Sequence, residues 1–187
     1  APRAAAGTKR RATARPSPSA AAGTKEQGGR FVRGLLAGET IGMFSLTGAG
    51  GGSDAAGNMK TTARRDGDVY RLNGAKMFAS MSNETDVGVL FAKTDPDAGH
   101  RGITAFIVEP KKYPGFEARP LAIMGLSKAL RTCAVFLDDF TVPVDNRLGA
   151  EGEGFAIAMH GLGAGRVTVA AKALGVARAC LEEAVRH

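Results

Sequence analysis

Tryptophan is absent from the 187 residues, cysteine occurs twice, histidine three times, and no apolar run approaches membrane length. Each shortage excludes something. Two cysteines, Cys133 and Cys180, cannot staple a small oxidised scaffold; both sit in apolar sequence, so two buried thiols are expected. His100, His160 and His187 lie far apart and lack metal-ligand spacing to any cysteine or carboxylate cluster, which argues against a zinc or di-metal centre. Nor do they suggest a Ser-His-Asp triad. The longest mostly apolar stretch, Val167–Ala177, is broken by Lys172, well short of the roughly 20 residues needed to span a bilayer.

What is present suits a globular chain: 44% hydrophobic residues and 23% charged ones are enough for a real core. The formal charge of +7 is unevenly placed. Residues 1–30 hold seven Lys/Arg against Glu26 alone, while the other 157 carry 18 basic and 17 acidic side chains. The basicity therefore belongs to a tail. Residues 1–22 contain no acid, aromatic or branched aliphatic residue and cannot offset their ordering entropy, so disorder is expected there. That composition suits a transit peptide, a nucleic-acid-binding arm or a segment without a specific role.

From Thr40 to Asp139 the pattern has the two-residue period of strands. Candidate strands are Ile41–Thr47, Asn58–Arg64, Val69–Leu72, Ala75–Ser80, Val87–Ala92, Ile103–Glu109, Phe116–Pro120 and Thr132–Leu137. Asp66-Gly67 and Asn73-Gly74 read as tight hairpin turns, which need positive φ. About eight short, closely spaced strands predict an antiparallel barrel or sandwich. After Val142-Pro143 the period becomes helical: Gly152–Leu162 and Arg166–His187, with Val169, Ala173, Val176, Cys180 and Ala184 on one face. This mainly β chain with a C-terminal helix divides into the basic tail (1–22), a helical lead-in (23–39), the β-domain (40–145) and the start of a helical domain (146–187). The helix is still running at His187 and its stripe lacks a partner, so the chain reads as cut short.

The least ordinary segment is Thr47-Gly-Ala-Gly-Gly-Gly-Ser53-Asp54. A glycine-rich turn lets backbone amides approach an anion or a flat ring. It has no Gly-Lys-Ser/Thr and follows a strand pattern outside any βαβ unit, so neither a Walker loop nor the dinucleotide fingerprint applies. Taken alone it is as good a hairpin connection as a ligand cradle.

Several motifs in order supply a context. Phe44-Ser-Leu-Thr-Gly-Ala-Gly-Gly-Gly-Ser-Asp, Asn73-Gly-Ala-Lys-Met-Phe-Ala-Ser, and Thr141–Phe155 followed by Ala158-Met-His and Gly165-Arg166 resemble the acyl-CoA dehydrogenase family. The resemblance runs from about Gly23 onward and implies that family's middle β-barrel domain followed by the first part of its C-terminal helical bundle. Ile103–Glu109 and Ala158-Met-His lean towards the very-long-chain branch. The resemblance implies FAD as cofactor. Phe44, Leu46 and Thr47 would hold its pyrimidine end, and Phe78 would stand beside the ring. Ser80 would supply a hydrogen bond near flavin N5. Ser53 falls in the cofactor loop and matches the serine that contacts acyl-CoA, and Arg166 matches the arginine near the substrate floor.

Two departures accompany these matches. Gly48-Ala49 replaces Glu-Pro, turning a pre-set bend into a flexible run, and Gly125–Thr132 carries one residue beyond the family's pattern. The resemblance implies a glutamate that removes the α-proton, which in most members lies downstream of the part matched here and in a minority precedes the helix arginine, where this sequence has Gly165. No catalytic residue is therefore assigned, and the isolated chain is expected to be inactive.

The implied function is part of an enzyme for α,β-desaturation of acyl-CoA thioesters, passing electrons to an electron-transferring flavoprotein. A homodimer or homotetramer is implied, in the bacterial cytoplasm or mitochondrial matrix rather than secreted. An acyl-CoA oxidase, a flavin monooxygenase or a catalytically dead module with a nucleic-acid-contacting tail are the alternatives. The near-neutral folded part counts against nucleic acid.

Overall fold

The computed structural model describes residues 22–123 and 130–187, so the basic tail and most of the Gly125–Thr132 element lie outside the described residues. The first described segment is helical. It comprises α1 (Lys25–Gln27), a π-helical turn (Gly28–Val32) and α2 (Arg33–Ala37), which ends at left-handed Gly38. Thr24 and Gln27 form a reciprocal capping box, and the Gln27 Nε2 also donates to Asp145 O and Arg147 O at 2.8 and 2.9 Å. One amide side chain thus ties the lead-in helix to the far end of the β-region.

Eight strands follow: β1 (Gly42–Ser45), β2 (Thr62–Asp66), β3 (Val69–Ser80), β4 (Val87–Lys93), β5 (Ile103–Val108), β6 (Phe116–Pro120), β7 (Thr132–Pro143) and β8 (Arg147–Leu148). They form one sheet in the order β6-β7-β3-β2-β4-β5-β8, with β1 beside β4. The mainly β fold with a C-terminal helix is as expected, with two refinements. The sheet curls but is not closed into a barrel among the described residues, and β1–β4 and the single β2–β4 bridge are parallel.

Asp66-Gly67 is the hairpin turn it was expected to be, joining β2 to β3 with Gly67 at φ 60°. Asn73-Gly74 is not. Val69–Leu72 and Ala75–Ser80 are halves of one twelve-residue strand, β3, paired along its length with β7. Positive φ is required there, but for a β-bulge: between the Leu72–Phe140 and Gly74–Leu137 pairs, Asp138 and Asp139 of β7 oppose Asn73 alone. Asn73 Oδ1 accepts from the Asp139 N–H at 2.8 Å, and Gly74, at φ 132°, lies where a Cβ would come within 2.8 Å of Thr61 Cα. Asn-Gly satisfies a bulge as readily as a turn.

β4 and β5 are buried on both faces, which explains why they read as continuous apolar runs. Leu90, Ala92, Phe106 and Val108 point into the concave side, against Leu72, Val135, Phe140 and Val142. Val89, Phe91, Ala105 and Ile107 point the other way, against Phe31, Ile157 and Ala158. The last two belong to α3 (Gly154–Arg186), a single helix where two helical stretches were expected. Tyr70 on β3 hydrogen-bonds Glu151 and Arg147 and so fixes the turn that launches α3.

Beyond the first turns nothing among the described residues covers α3: Val167, Val169, Leu174, Val176, Leu181 and Val185 are exposed. Cys180 lies on this stretch and is exposed, contrary to the expectation of two buried thiols; only Cys133, inside the sheet, is buried. No helix among the described residues is long and apolar enough to cross a membrane.

The seating of α3 depends on Gly154, where an added Cβ would lie 2.6 Å from the Thr104 carbonyl carbon and 2.8 Å from Ala105 N. Backbone cannot yield to such a contact. Gly154→Ala is expected to lower the unfolding free energy by about 1–3 kcal/mol in urea titrations. Gly163→Ala, with nothing within 4 Å of the added methyl, is expected to raise it by roughly 0.5–1 kcal/mol. Equal effects at the two sites would contradict this packing.

Candidate functional site

The glycine-rich segment after β1 is held at both ends. On its near side, Thr47 O accepts from Met77 N–H at 2.9 Å and Gly48 bridges Lys76, so the chain leaving β1 runs briefly beside β3. On its far side, the Asp54 carboxylate accepts from Gly57 N–H at 2.8 Å and Asn58 Nδ2 at 3.1 Å. The loop is organised by its own hydrogen bonds despite the loss of a proline.

Opposite Thr47, β3 carries a second bulge. Lys76 pairs with Val135 and Ala79 with Cys133, so Met77 and Phe78 together oppose Ala134. The extra residue breaks the inside-outside alternation. Phe78 takes a left-handed backbone (φ 59°) and leaves its ring 59% exposed. A non-glycine aromatic in that conformation costs of order 1–3 kcal/mol and persists only where its surroundings impose it.

The third wall comes from α3, where Phe155, Met159, Leu162 and Arg166 follow one another at helical spacing on one face. Phe155 is positioned by a tilted contact with His100, ring centroids 5.7 Å apart, and Phe44 on β1 by an edge-on contact with Phe91 at 5.2 Å.

These walls enclose a cavity of about 440 Å³, within the range of roughly 300–1,000 Å³ typical of small-molecule sites. Six of the expected residues line it: Phe44, Leu46, Thr47, Ser53, Phe78 and Arg166. They come from three separate parts of the chain. Ser80 does not line it; it ends β3 with its Oγ 3.5 Å from Thr132 Oγ1. The sequence reading missed Ala55, Ala56, Met77, Phe155, Met159 and Leu162. The three α3 residues could have been found from their 4–3–4 spacing with Arg166; the alanines and Met77 carry no comparable signal. A larger cavity of about 600 Å³, between Thr24–Phe31 and Val144–Ala150, contains none of the expected residues.

The lining is mostly apolar with a few polar groups. Arg166 brings a positive charge to the lining and has no ion-pair partner among the described residues. Asp54 is the only carboxylate in the lining, and it is committed to the loop.

Behind the wall lies Lys76, fully buried, its Nζ donating to Leu46 O at 3.0 Å. Burial alone drives its ammonium down to about 7, since no charged group compensates the lost hydration.

Residues 43–140 match the model of the acyl-CoA dehydrogenase middle domain, and residues 152–187 that of the acyl-CoA dehydrogenase C-terminal domain. An acyl-CoA dehydrogenase of Bacillus subtilis is 43% identical over 169 residues, covering 88% of this chain and 43% of that protein. A subunit of the caffeyl-CoA reductase-Etf complex of Acetobacterium woodii is 41% identical over 165 residues, again covering 88% and 43%. The solved glutaryl-coenzyme A dehydrogenase glutaryl-CoA complex superposes with a TM-score of 0.86 at 36% identity, over 91% of this chain and 42% of that one. The chain thus spans less than half the length of the relatives it matches. The lean towards the very-long-chain branch draws no support from them.

The lysine yields a prediction whose sign is fixed by linkage. Its folded value lies below its unfolded one, so the folded state binds fewer protons and stability rises with pH between the two. Relative to Lys76→Met, the wild type is expected to be least stable below pH 7 and to recover between about pH 7 and 10.5, by at most ~1.4 kcal/mol per pH unit. Urea titrations at pH 6, 8 and 9.5 test this. A difference between the two proteins that does not change with pH would contradict it.

Proposed function

We propose a function from one premise: this chain belongs to the acyl-CoA dehydrogenase family. It forms the flavin- and thioester-facing wall of a FAD-dependent acyl-CoA dehydrogenase, whose reaction is α,β-desaturation of an acyl-CoA thioester. The observation that carries this reading is the cavity itself, where six residues from β1, its following loop, the β3 bulge and α3 converge.

The residues present fit the cofactor. Thr47 offers a hydroxyl and a backbone N–H that has no partner among the described residues, suited to the polar edge of an isoalloxazine. Phe78 offers an exposed ring for stacking or edge contact, and Phe44, Leu46 and Met77 supply an apolar wall that keeps water from the reacting face. FAD, when bound, supplies the hydride acceptor. Ser80, two residues beyond Phe78 at the end of β3, lies outside the cavity lining, and a hydrogen bond from it near flavin N5 rests on the family resemblance alone. Ser53 and Arg166, which has no ion-pair partner among the described residues, face the acyl-CoA, the hydroxyl suited to a polar group of its chain and the guanidinium to an anionic phosphate of its CoA part.

No residue in the cavity can take the α-proton. Asp54 is tied to Gly57 and Asn58, and the position before Arg166 is Gly165. Among the described residues the cavity therefore offers no free base; we read the base as one supplied by the remainder of a full-length enzyme, and the chain alone as unable to turn over acyl-CoA. The electron acceptor is an electron-transferring flavoprotein, a reading supported by the likeness to a subunit of an Etf complex. The exposed apolar stripe of α3 supports assembly into a homodimer or homotetramer.

Titration of the chain with FAD, followed by flavin fluorescence, tests the reading without interference from tryptophan. Saturable binding is expected, weakened at least about tenfold when Thr47→Ala and Phe78→Ala are combined. Dye-reduction assays with acyl-CoA are expected to show no turnover. Absence of saturable binding would overturn the cofactor assignment, and clear turnover would overturn the absence of a base.

A further inference from the structure

We propose, resting on the flavin reading above, that Lys76 is a positioning residue that aims the Leu46–Thr47 peptide at the flavin. The hydrogen bond from Lys76 Nζ to Leu46 O is buried and 3.0 Å long. The chain contains no cis peptide among the described residues. In a trans peptide the carbonyl and the following N–H point in opposite directions. Drawing the Leu46 carbonyl inward to Lys76 therefore turns the Thr47 N–H outward. Thr47 lines the cavity, and its N–H has no acceptor among the described residues.

The next peptide is fixed from the same stretch of β3, by Met77 N–H donating to Thr47 O at 2.9 Å and by the bridge between Gly48 and Lys76. Three consecutive residues of the cradle are thus held by two consecutive residues of the strand. No carboxylate pairs with Lys76 among the described residues, and β1, which leads into Leu46, carries no charged side chain. On β7 the facing residues are Val135 and Ala134, and the nearest titratable group in register is the thiol of Cys133, opposite Ala79.

A buried lysine with one acceptor is a costly way to fill a core. An unbranched apolar side chain would occupy the same volume without desolvating an amine. What it could not do is reach across from β3 and hold a carbonyl. Lys76 thus trades stability for a preorganised donor, as functional sites commonly do.

The test compares Lys76→Met, which keeps the stem and removes the donor, with Lys76→Arg, which keeps donors at the tip. Urea stability and FAD affinity are measured on the same preparations at pH 7. The expected result is divergence: Lys76→Met at least as stable as wild type yet about tenfold weaker for FAD, its bound flavin spectrum shifted towards that of free flavin. Lys76→Arg is expected to bind more tightly than Lys76→Met. FAD binding by Lys76→Met within about twofold of wild type would overturn the proposal while leaving the flavin site intact. A parallel loss of stability and affinity, without recovery in Lys76→Arg, would also overturn it by reducing Lys76 to a structural residue. Failure of the wild-type chain to bind FAD would be seen before any variant is made, and would overturn the flavin reading and this inference together.

Discussion

One irregularity in one strand sets the geometry of the site. The bulge at Met77–Phe78 puts two residues of β3 against one of β7, and that extra residue separates three tasks. Lys76 faces inward to Leu46, Met77 offers its N–H to Thr47, and Phe78 turns its ring out to the cavity. In a regular strand, residues 76 and 78 would share a face, and a buried lysine and an exposed aromatic could not both be accommodated. The positive φ at Phe78 is the conformational cost of that separation, held in place by the long β3–β7 pairing on either side.

The rest of the fold supplies rigidity around this point. Because the sheet curls, β4 and β5 are buried on both sides, and their outer face becomes the seat for α3. Gly154 allows the helix backbone to sit directly on β5, and the Tyr70–Glu151–Arg147 cluster fixes the turn before it. The helix then delivers Phe155, Met159, Leu162 and Arg166 to the cavity as one face. Loop, bulge and helix are thus each referred to the same sheet, which is how residues 120 positions apart in sequence come to line one site.

How much of this the sequence discloses depends on the kind of signal. Six of the eight strands were visible as separate two-residue patterns or apolar runs, and the helix as a change of period at Val142-Pro143. The Asn73-Gly74 bulge was not, because Asn-Gly reports a demand for positive φ and does not say whether the chain reverses or kinks. The length of β7 was hidden for a related reason: Asp138 and Asp139 interrupt its alternation where the bulge places both against one partner. At the site, Phe44, Leu46, Thr47, Ser53, Phe78 and Arg166 were legible through motif order alone. Nothing in their local patterns showed that they meet. Ala55, Ala56 and Met77 enter the lining through backbone placement, which leaves little trace in residue type. Cys180 misled because apolar neighbours on a helix signal a covered face, and the described residues do not cover it.

We place the flavin in the cavity between the Thr47–Asp54 loop, the β3 bulge and α3, in preference to the larger cavity beside α1. Amide hydrogen exchange of the chain with and without FAD distinguishes the two, because it reads each segment separately. FAD is expected to slow exchange at Leu46–Asp54 and at Met77–Phe78 and to leave Thr24–Phe31 and Asp145–Ala150 unchanged. Protection confined to those last two segments would put the ligand in the other cavity and overturn this placement.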